Sequence, residues 1–167
     1  MMMKTLTLAR HAKSSWDDLE LSDFERPLNK RGRKDAPFMG ELLHSRGFRP
    51  DLIVSSPANR ALTTARIIAE ELEYPLDRII VNEKLYEADS GDILNVARAT
   101  DDAYNNVMIV GHNPGLTLAA RALAVIDIEN IPTCGIISFE CTVTSWKEIG
   151  TQHGILKFFE YPKKYQE

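Results

Sequence analysis

Short apolar runs and amphipathic helical segments alternate along the first three quarters of this chain. That rhythm restricts the fold more than any other feature. Residues 4–9 read as a strand, with Thr5-Leu6-Thr7-Leu8 alternating between hydroxyl and apolar side chains. Residues 30–46 follow as a helix, with Met39, Leu42 and Leu43 on one face. Pro37 is expected to kink or restart that helix, because proline lacks a backbone donor and crowds the preceding turn. Gly47 offers it a C-terminal stop. Residues 51–55 are a second strand. Residues 60–72 form an amphipathic helix, with Leu62, Ala65, Ile68, Ala69 and Leu72 at helical spacing. A strand at 79–81, a short helix at 93–98, a strand at 107–110 and a helix at 116–125 continue the series. The rhythm then changes. Residues 135–141 and 155–161 both alternate like strands, and the link through Trp146 and Gly150 predicts that they pair as a hairpin or as neighbours. Such alternation builds a mostly parallel sheet with helices on both faces, and the two late strands add an antiparallel edge. The expected class is α/β: a three-layer αβα sandwich, one domain spanning residues 1–167, a length that can bury a proper core.

The formal net charge of −4 gives no global basic field to draw the chain onto nucleic acid or a membrane, so any anion site must be local. The only cysteines, Cys134 and Cys141, make no disulfide framework and carry no metal-ligand spacing. The start Met1-Met2-Met3-Lys4 runs straight into strand-like sequence without a signal-peptide core, and no apolar run could span a bilayer. These features point to a cytoplasmic protein with reduced thiols.

Three strand-to-helix junctions carry the chemistry-bearing residues: Arg10-His11, then Ser55-Ser56-Pro57-Ala58-Asn59-Arg60, then Gly111-His112-Asn113-Pro114-Gly115. Ser56-Pro57 and Asn113-Pro114 each place a good N-cap before a proline, predicting helices that begin just past their strands with free N–H groups facing the strand ends. In open α/β sheets ligands bind at the carboxyl ends of the strands. If the three junctions share one edge, Arg10, His11, Arg60 and His112 converge there. Two guanidiniums and two imidazoles suit a phosphate dianion. Flanking arginines disfavour protonation of His11, and a neutral imidazole is a phosphorus nucleophile. Attack would give a phosphohistidine that water hydrolyses, with His112 and the arginines stabilising the equatorial oxygens. No metal and no cofactor is required.

The blocks Arg10-His11-Ala12-Lys13-Ser14-Ser15-Trp16, Arg26-Pro27-Leu28-Asn29-Lys30-Arg31-Gly32, Ser55-Ser56-Pro57-Ala58-Asn59-Arg60-Ala61-Leu62-Thr63-Thr64-Ala65 and Gly111-His112-Asn113-Pro114-Gly115-Leu116 resemble, in order, the motifs of the histidine phosphatase superfamily. That superfamily includes phosphoglycerate mutases and acid phosphatases. The resemblance covers most of the chain and is closest to the small SixA-type phosphohistidine phosphatases. It implies a phosphoglycerate mutase-like fold, His11 as nucleophile, and Arg10, Arg60 and His112 around the phosphate. It also implies that Arg26 reaches the phosphate, against the alternative of a solvated loop arginine. Ala12 stands where the family commonly has glycine.

The general acid is sought near Leu85-Tyr86-Glu87-Ala88-Asp89-Ser90-Gly91-Asp92, where Glu87 best resembles the family glutamate and Asp89 and Asp92 are alternatives. All three could instead decorate a loop or cap the helix near Ile93. Phosphohistidine asks less of a proton donor than a phosphoester does, because imidazole is a better leaving group than an alkoxide. Ser14 could donate to phosphate or cap a turn, and Asn113 is a candidate substrate contact. Trp16 either walls the pocket or packs in the core. Lys30, Arg31, Arg33 and Lys34 form a solvated basic face or a docking surface for an acidic phosphoprotein. The short interval between Arg60 and His112 has no room for a lid domain, which suits a substrate presented on another protein or a promiscuous small phosphoester. The expected partner is a phosphohistidine-bearing protein or a small phosphoester, with no nucleic acid and no membrane. A small-molecule phosphomonoesterase or mutase is the alternative, followed by a phosphate-binding interaction module.

Overall fold

A computed structural model describes residues 3–166. Its six strands are β1 (Lys4–Arg10), β2 (Leu52–Ser55), β3 (Ile80–Val81), β4 (Asn106–Gly111), β5 (Ile136–Cys141) and β6 (Gly154–Glu160). They form one sheet in the order β3-β2-β4-β1-β5-β6. β1, β2, β3 and β4 run parallel, and β5 and β6 join antiparallel beyond β1. The four helices are α1 (Lys30–Ser45), α2 (Asn59–Glu71), α3 (Ser90–Arg98) and α4 (Gly115–Leu123). The expected αβα sandwich with an antiparallel edge is the fold observed.

Strand alternation decides the layers. Leu6, Leu8, Val107 and Ile109 pack against α3 and α4 through Ile93, Ala97, Leu116 and Leu123. Ala9, Ile53, Met108 and Val110 face the other way, onto α1 and α2 through Met39, Leu43, Ala65 and Ile68. A fully buried leucine or isoleucine contributes about 1.5–3 kcal/mol, so these two layers supply most of the driving force. The central strands are nearly continuous apolar runs, as strands covered on both faces must be. β3 ends the sheet with only two residues, both exposed, which shortens the free edge.

Local chemistry sets the helix ends. Asn29 accepts the Gly32 N–H at 2.8 Å and starts α1, which runs unbroken through Pro37 rather than restarting there. Gly47 adopts φ 75° past its end, the left-handed conformation that glycine tolerates. The junction prolines behave differently from expectation. α2 begins at Asn59 and α4 at Gly115, so neither Pro57 nor Pro114 is a first helical residue. The Ser56 N–H extends the ladder one residue past β2, donating to the Val110 carbonyl at 3.0 Å, and its hydroxyl meets His112 Nε2 and the Ala58 N–H instead of capping α2. α4 also stops at Leu123, two residues short of the predicted end.

Two glycines fix the loops beside these ends. A Cβ on Gly32 would lie 2.2 Å from the Lys13 carbonyl oxygen, and one on Gly115 would lie 2.4 Å from that of Ala88. Backbone approaches this close admit only glycine.

Candidate active site

β2, β4 and β1 are neighbours, and their registers put Ser55 opposite Val110 and Arg10 opposite Gly111. Ser56, His112 and His11 therefore leave the carboxyl ends of three adjacent parallel strands, where α/β sheets bind ligands. His11 is held by backbone on both sides. Its N–H donates to the Gly111 carbonyl at 3.1 Å, and its own carbonyl accepts from Cys134 at 3.0 Å. Ala12, fully buried, donates its N–H to Thr64 Oγ1 at 2.9 Å. Ala12 has no positive φ, so alanine serves where the family more often has glycine.

The His11 ring lies 5.2 Å, centroid to centroid, from His112. His11 Nδ1 is 2.7 Å from the Ala12 carbonyl oxygen. A carbonyl only accepts, so Nδ1 carries the proton and Nε2 keeps its lone pair. Burial holds the His11 pKa down to about 3; His112, Arg60 and Arg10 push the same way, against the opposing bond to Ala12. His112 is held to about 4, again mainly by burial and then by Arg60. The arginines expected to keep His11 neutral do contribute, but desolvation comes first. Both rings are neutral near pH 7.

Several buried donors surround the pair. His112 Nε2 lies 2.7 Å from Ser56 Oγ, which also accepts the Ala58 N–H at 3.2 Å. His112 Nδ1 and Arg10 Nε are buried and find no hydrogen-bond partner among the described residues. Arg10 Nη1 is anchored on the Ile131 carbonyl at 2.9 Å. Unpaired buried polar groups are costly and rare in a folded interior. Two of them, on side chains that leave the same strand ends, suit an oxyanion.

Arg60 arrives from the first turn of α2 and Arg26 from the long β1–α1 connection; each exposes only 7 % of its surface. That excludes a solvated loop arginine at position 26. Arg26 Nε donates to the Ser15 carbonyl at 3.1 Å, its Nη2 to Ser14 Oγ, and its guanidinium lies 3.3 Å from the centroid of the Trp16 ring. Trp16 is 67 % exposed, so it walls the surface and is not core. The connection is itself stapled: Ser15 donates to the Pro27 carbonyl at 2.8 Å and Asn29 to that of Lys13 at 2.9 Å.

The remaining candidates divide. Asp89 and Asp92 form a reciprocal capping box at the start of α3 and are consumed there. Glu87 is exposed, at φ 57°, directly after Tyr86, whose ring meets His112 edge-on at 5.8 Å. Asn113 has its amide committed: Nδ2 donates to Asn130 Oδ1 and the Ile131 carbonyl, both at 2.8 Å, and Oδ1 accepts from the Thr117 N–H and hydroxyl. Ser14 is buried with its oxygen on Arg26.

Sequence reasoning missed Asp23, Tyr86, Thr64 and the Ser56 hydroxyl. Asp23 accepts from Arg26, Arg60 and Tyr86 together. Only the three-residue offset between Asp23 and Arg26 signalled any of this. Thr64 lies one turn beyond Arg60 and donates to its carbonyl at 2.7 Å while accepting from Ala12, tying α2 to the residue after His11.

Parallel strand ends that hold a neutral imidazole pair among buried guanidiniums define a class: an α/β phosphoryl-transfer site. The chain belongs to the histidine phosphatase superfamily, branch 1, whose model matches residues 6–103. An uncharacterised chloroplastic protein of Arabidopsis thaliana is 30% identical over 153 residues, covering 87% of this chain and 70% of the relative. A phosphoglycerate mutase of Schizosaccharomyces pombe is 39% identical over 100 residues, 59% of this chain and 46% of the mutase. The chain thus spans about half the length of the mutases it matches. The crystal structure of a SixA from Agrobacterium tumefaciens, described as a putative phosphohistidine phosphatase, superposes with a TM-score of 0.83 at 28% identity, covering 97% of this chain and all of that one.

Proposed function

We propose that this protein is a phosphohistidine phosphatase that works through a covalent phosphohistidine on His11. The observation that carries the reading is the His11 ring: neutral, with Nδ1 tied to the Ala12 carbonyl and Nε2 free to attack. In the first step His11 Nε2 forms a bond to phosphorus while the bond from phosphorus to the substrate nitrogen breaks. The leaving imidazole keeps the electron pair and takes a proton from bulk water, and the water that attacks in the second step returns a proton to solvent. In the second step water attacks the same phosphorus, inorganic phosphate departs, and His11 is restored. Arg10, Arg60 and His112 stabilise the equatorial oxygens. A Ser56 hydroxyl donating to His112 Nε2 puts the His112 proton on Nδ1, where it can reach a phosphoryl oxygen. Arg26 and Ser14 form the rim. Asn113, its amide already engaged, positions the His112 turn.

Two features favour a protein-borne phosphohistidine over a small ester. Between α2 and β4 the chain forms only short 3-10 turns, the two-residue β3 and the nine-residue α3, so no lid domain is inserted there. A cleft of about 800 Å3 lies between Trp16, Ser14, Lys13, Lys30 and Lys34 and shares with the site only Ser14 and Trp16, the residues on Arg26; it has room for residues that flank the target. Glu87 supports the alternative: it is an unburied carboxylate next to the residue that touches His112, in reach of a role as proton donor to an alkoxide.

The test offers phosphohistidine on a carrier protein, an aryl phosphate and a panel of sugar phosphates. Quenched reactions should show acid-labile, base-stable phosphate at residue 11. His11→Ala should lose both label and turnover; retained turnover sinks the mechanism. Alkyl phosphate hydrolysis that collapses in Glu87→Gln would move the assignment to a phosphomonoesterase. Phosphate binding without turnover of any substrate would leave an interaction module.

A further inference from the structure

Arg60 gives both terminal nitrogens to a single residue. Its Nη1 donates to the Asp23 carbonyl at 2.7 Å and its Nη2 to Asp23 Oδ2 at 3.0 Å. Arg26 Nη1 donates to Asp23 Oδ1 at 2.9 Å. The Tyr86 hydroxyl donates to Oδ2 at 2.7 Å. One carboxylate therefore collects three side-chain donors from three separate parts of the chain. An oxyanion bridged between two guanidiniums is the arrangement a bound phosphoryl group also takes.

Position decides whether Asp23 supports Arg60 from behind or occupies its working face. Tyr86 shares Oδ2 with Arg60, and the Tyr86 ring meets His112 edge-on at 5.8 Å. Asp23 is thus on the side of Arg60 that faces the histidines. Asp23 meets the outer edge of Arg60 with its backbone carbonyl on Nη1 and its carboxylate on Nη2, so swinging the side chain away frees the Nη2 donor while the backbone keeps Arg60 in place. Mobility is unequal as well. The Asp23 side chain is 48% exposed and sits on a three-residue turn, Asp23–Glu25, that buries none of its residues. Arg26 and Arg60 are buried, and Arg26 is also held by the Ser15 carbonyl and Ser14. If one partner moves, it is Asp23.

We propose that Asp23 is an internal oxyanion that competes with the phosphoryl group for Arg60 and Arg26, and so is a specificity-determining residue that sets the affinity threshold of the site. An incoming phosphoryl group displaces it by adding bonds that Asp23 does not make, to Arg10 Nε and His112 Nδ1. An anion too small or too weakly charged to reach both sets of donors leaves Asp23 in place. Once swung out, Asp23 remains on the β1–α1 connection and can return to help expel inorganic phosphate. This inference rests on the assignment of the site as a phosphoryl pocket, but not on phosphohistidine being the substrate.

The test uses the full chain and two probes, orthophosphate and orthovanadate, titrated calorimetrically into wild type, Asp23→Asn and Asp23→Ala. Both variants should bind each probe about tenfold tighter, the factor equivalent to 1.4 kcal/mol. With an aryl phosphate, KM should fall in step while kcat does not rise with it. Unchanged or weaker binding overturns the proposal, and weaker binding with raised KM would make Asp23 a support for Arg60. Binding of neither probe by any of the three proteins also overturns it. Melting temperatures of both variants show whether either has lost its fold, and Asp23→Asn keeps the shape of the side chain. Tighter phosphate binding without phosphohistidine turnover would sink the substrate assignment and leave the competition standing.

Discussion

His11 and His112 should make this protein acid-sensitive in a pH window where its carboxylates are silent. Each imidazole is buried neutral, at about 3 for His11 and about 4 for His112, against about 6.5 in an unfolded chain. Above pH 6.5 neither state is protonated and the pair contributes nothing to the pH dependence. Below 6.5 the unfolded chain takes up protons that the folded state refuses. Stability therefore falls by about 1.4 kcal/mol per pH unit for each histidine, until pH reaches the folded value. At pH 5 that is about 2 kcal/mol each, or about 4 kcal/mol together, a large part of the 5–15 kcal/mol typical of a domain. Carboxylates whose pKa is lowered in the fold, such as Asp23, Asp102 and Glu160, lose their stabilising effect only as pH falls through the carboxylate range and below. Between pH 7.5 and 5 the two histidines dominate.

Urea unfolding at half-unit steps across that window, in wild type, His11→Asn, His112→Asn and the double variant, reads the slope directly. Each single variant should flatten the curve by about half, and the double variant should be nearly level down to pH 5. The offset at pH 7.5 includes lost packing and is not the readout. If the wild-type slope persists in the double variant, the histidines are not buried neutral and the nucleophile assignment loses its electrostatic basis. The catalytic counterpart has the same sign. The acid limb attributable to His11 in kcat/KM should lie well below pH 6.5, because protonation is what disables Nε2.

Other outcomes follow from single contacts. Gly32→Ala drives a Cβ into the Lys13 carbonyl and should cost about 3 kcal/mol, read as a fall in melting temperature, because backbone on both sides cannot yield. Ser56→Ala removes the partner of His112 Nε2 and should lower kcat about tenfold with little change in KM, measured on an aryl phosphate. Lys4→Met leaves the carbonyls of Asp102 and Tyr104 without the buried ammonium that bonds them at 2.7 and 3.3 Å. It should cost about 3 kcal/mol, visible as a drop of about 6–12 °C in melting temperature.

What the sequence discloses here depends on range. Strands and helices announce themselves because burial on one or two faces imposes a period of 2 or 3.6 on consecutive residues, as in Thr5-Leu6-Thr7-Leu8 or across Leu62, Ala65 and Ile68. The convergence of His11, Arg60 and His112 was equally legible, since each follows a strand of one parallel sheet and topology alone brings such ends together. The helix starts at Ser56-Pro57 and Asn113-Pro114 were misplaced because a local capping rule competes with other partners for the same side chain. The Ser56 hydroxyl is engaged with His112 and the Ala58 N–H, and Asn113 accepts instead from the Thr117 N–H, a turn further on. The second layer of the site was illegible for a related reason. Asp23 meets Tyr86 across 63 residues and Arg60 across 37, and nothing in the spacing of a loop acid marks such a contact.

That difference has a chemical consequence for how the site is tuned. The residues that sit on strand ends are fixed by the sheet and can only be present or absent. The residues that grip them from loops, Asp23 above all, can be exchanged or swung without disturbing a core residue. On the proposed mechanism His11, His112 and Arg10 on the strand ends, with Arg60 on the first turn of α2, set which reaction is possible, whereas affinity and substrate choice are left to the β1–α1 connection and the turn at Tyr86-Glu87. Exchanging the Asp23–Glu25 turn should therefore move KM and phosphate affinity while the phosphorylated residue stays His11, a separation that mapping the labelled residue and titrating phosphate on the same variant would expose.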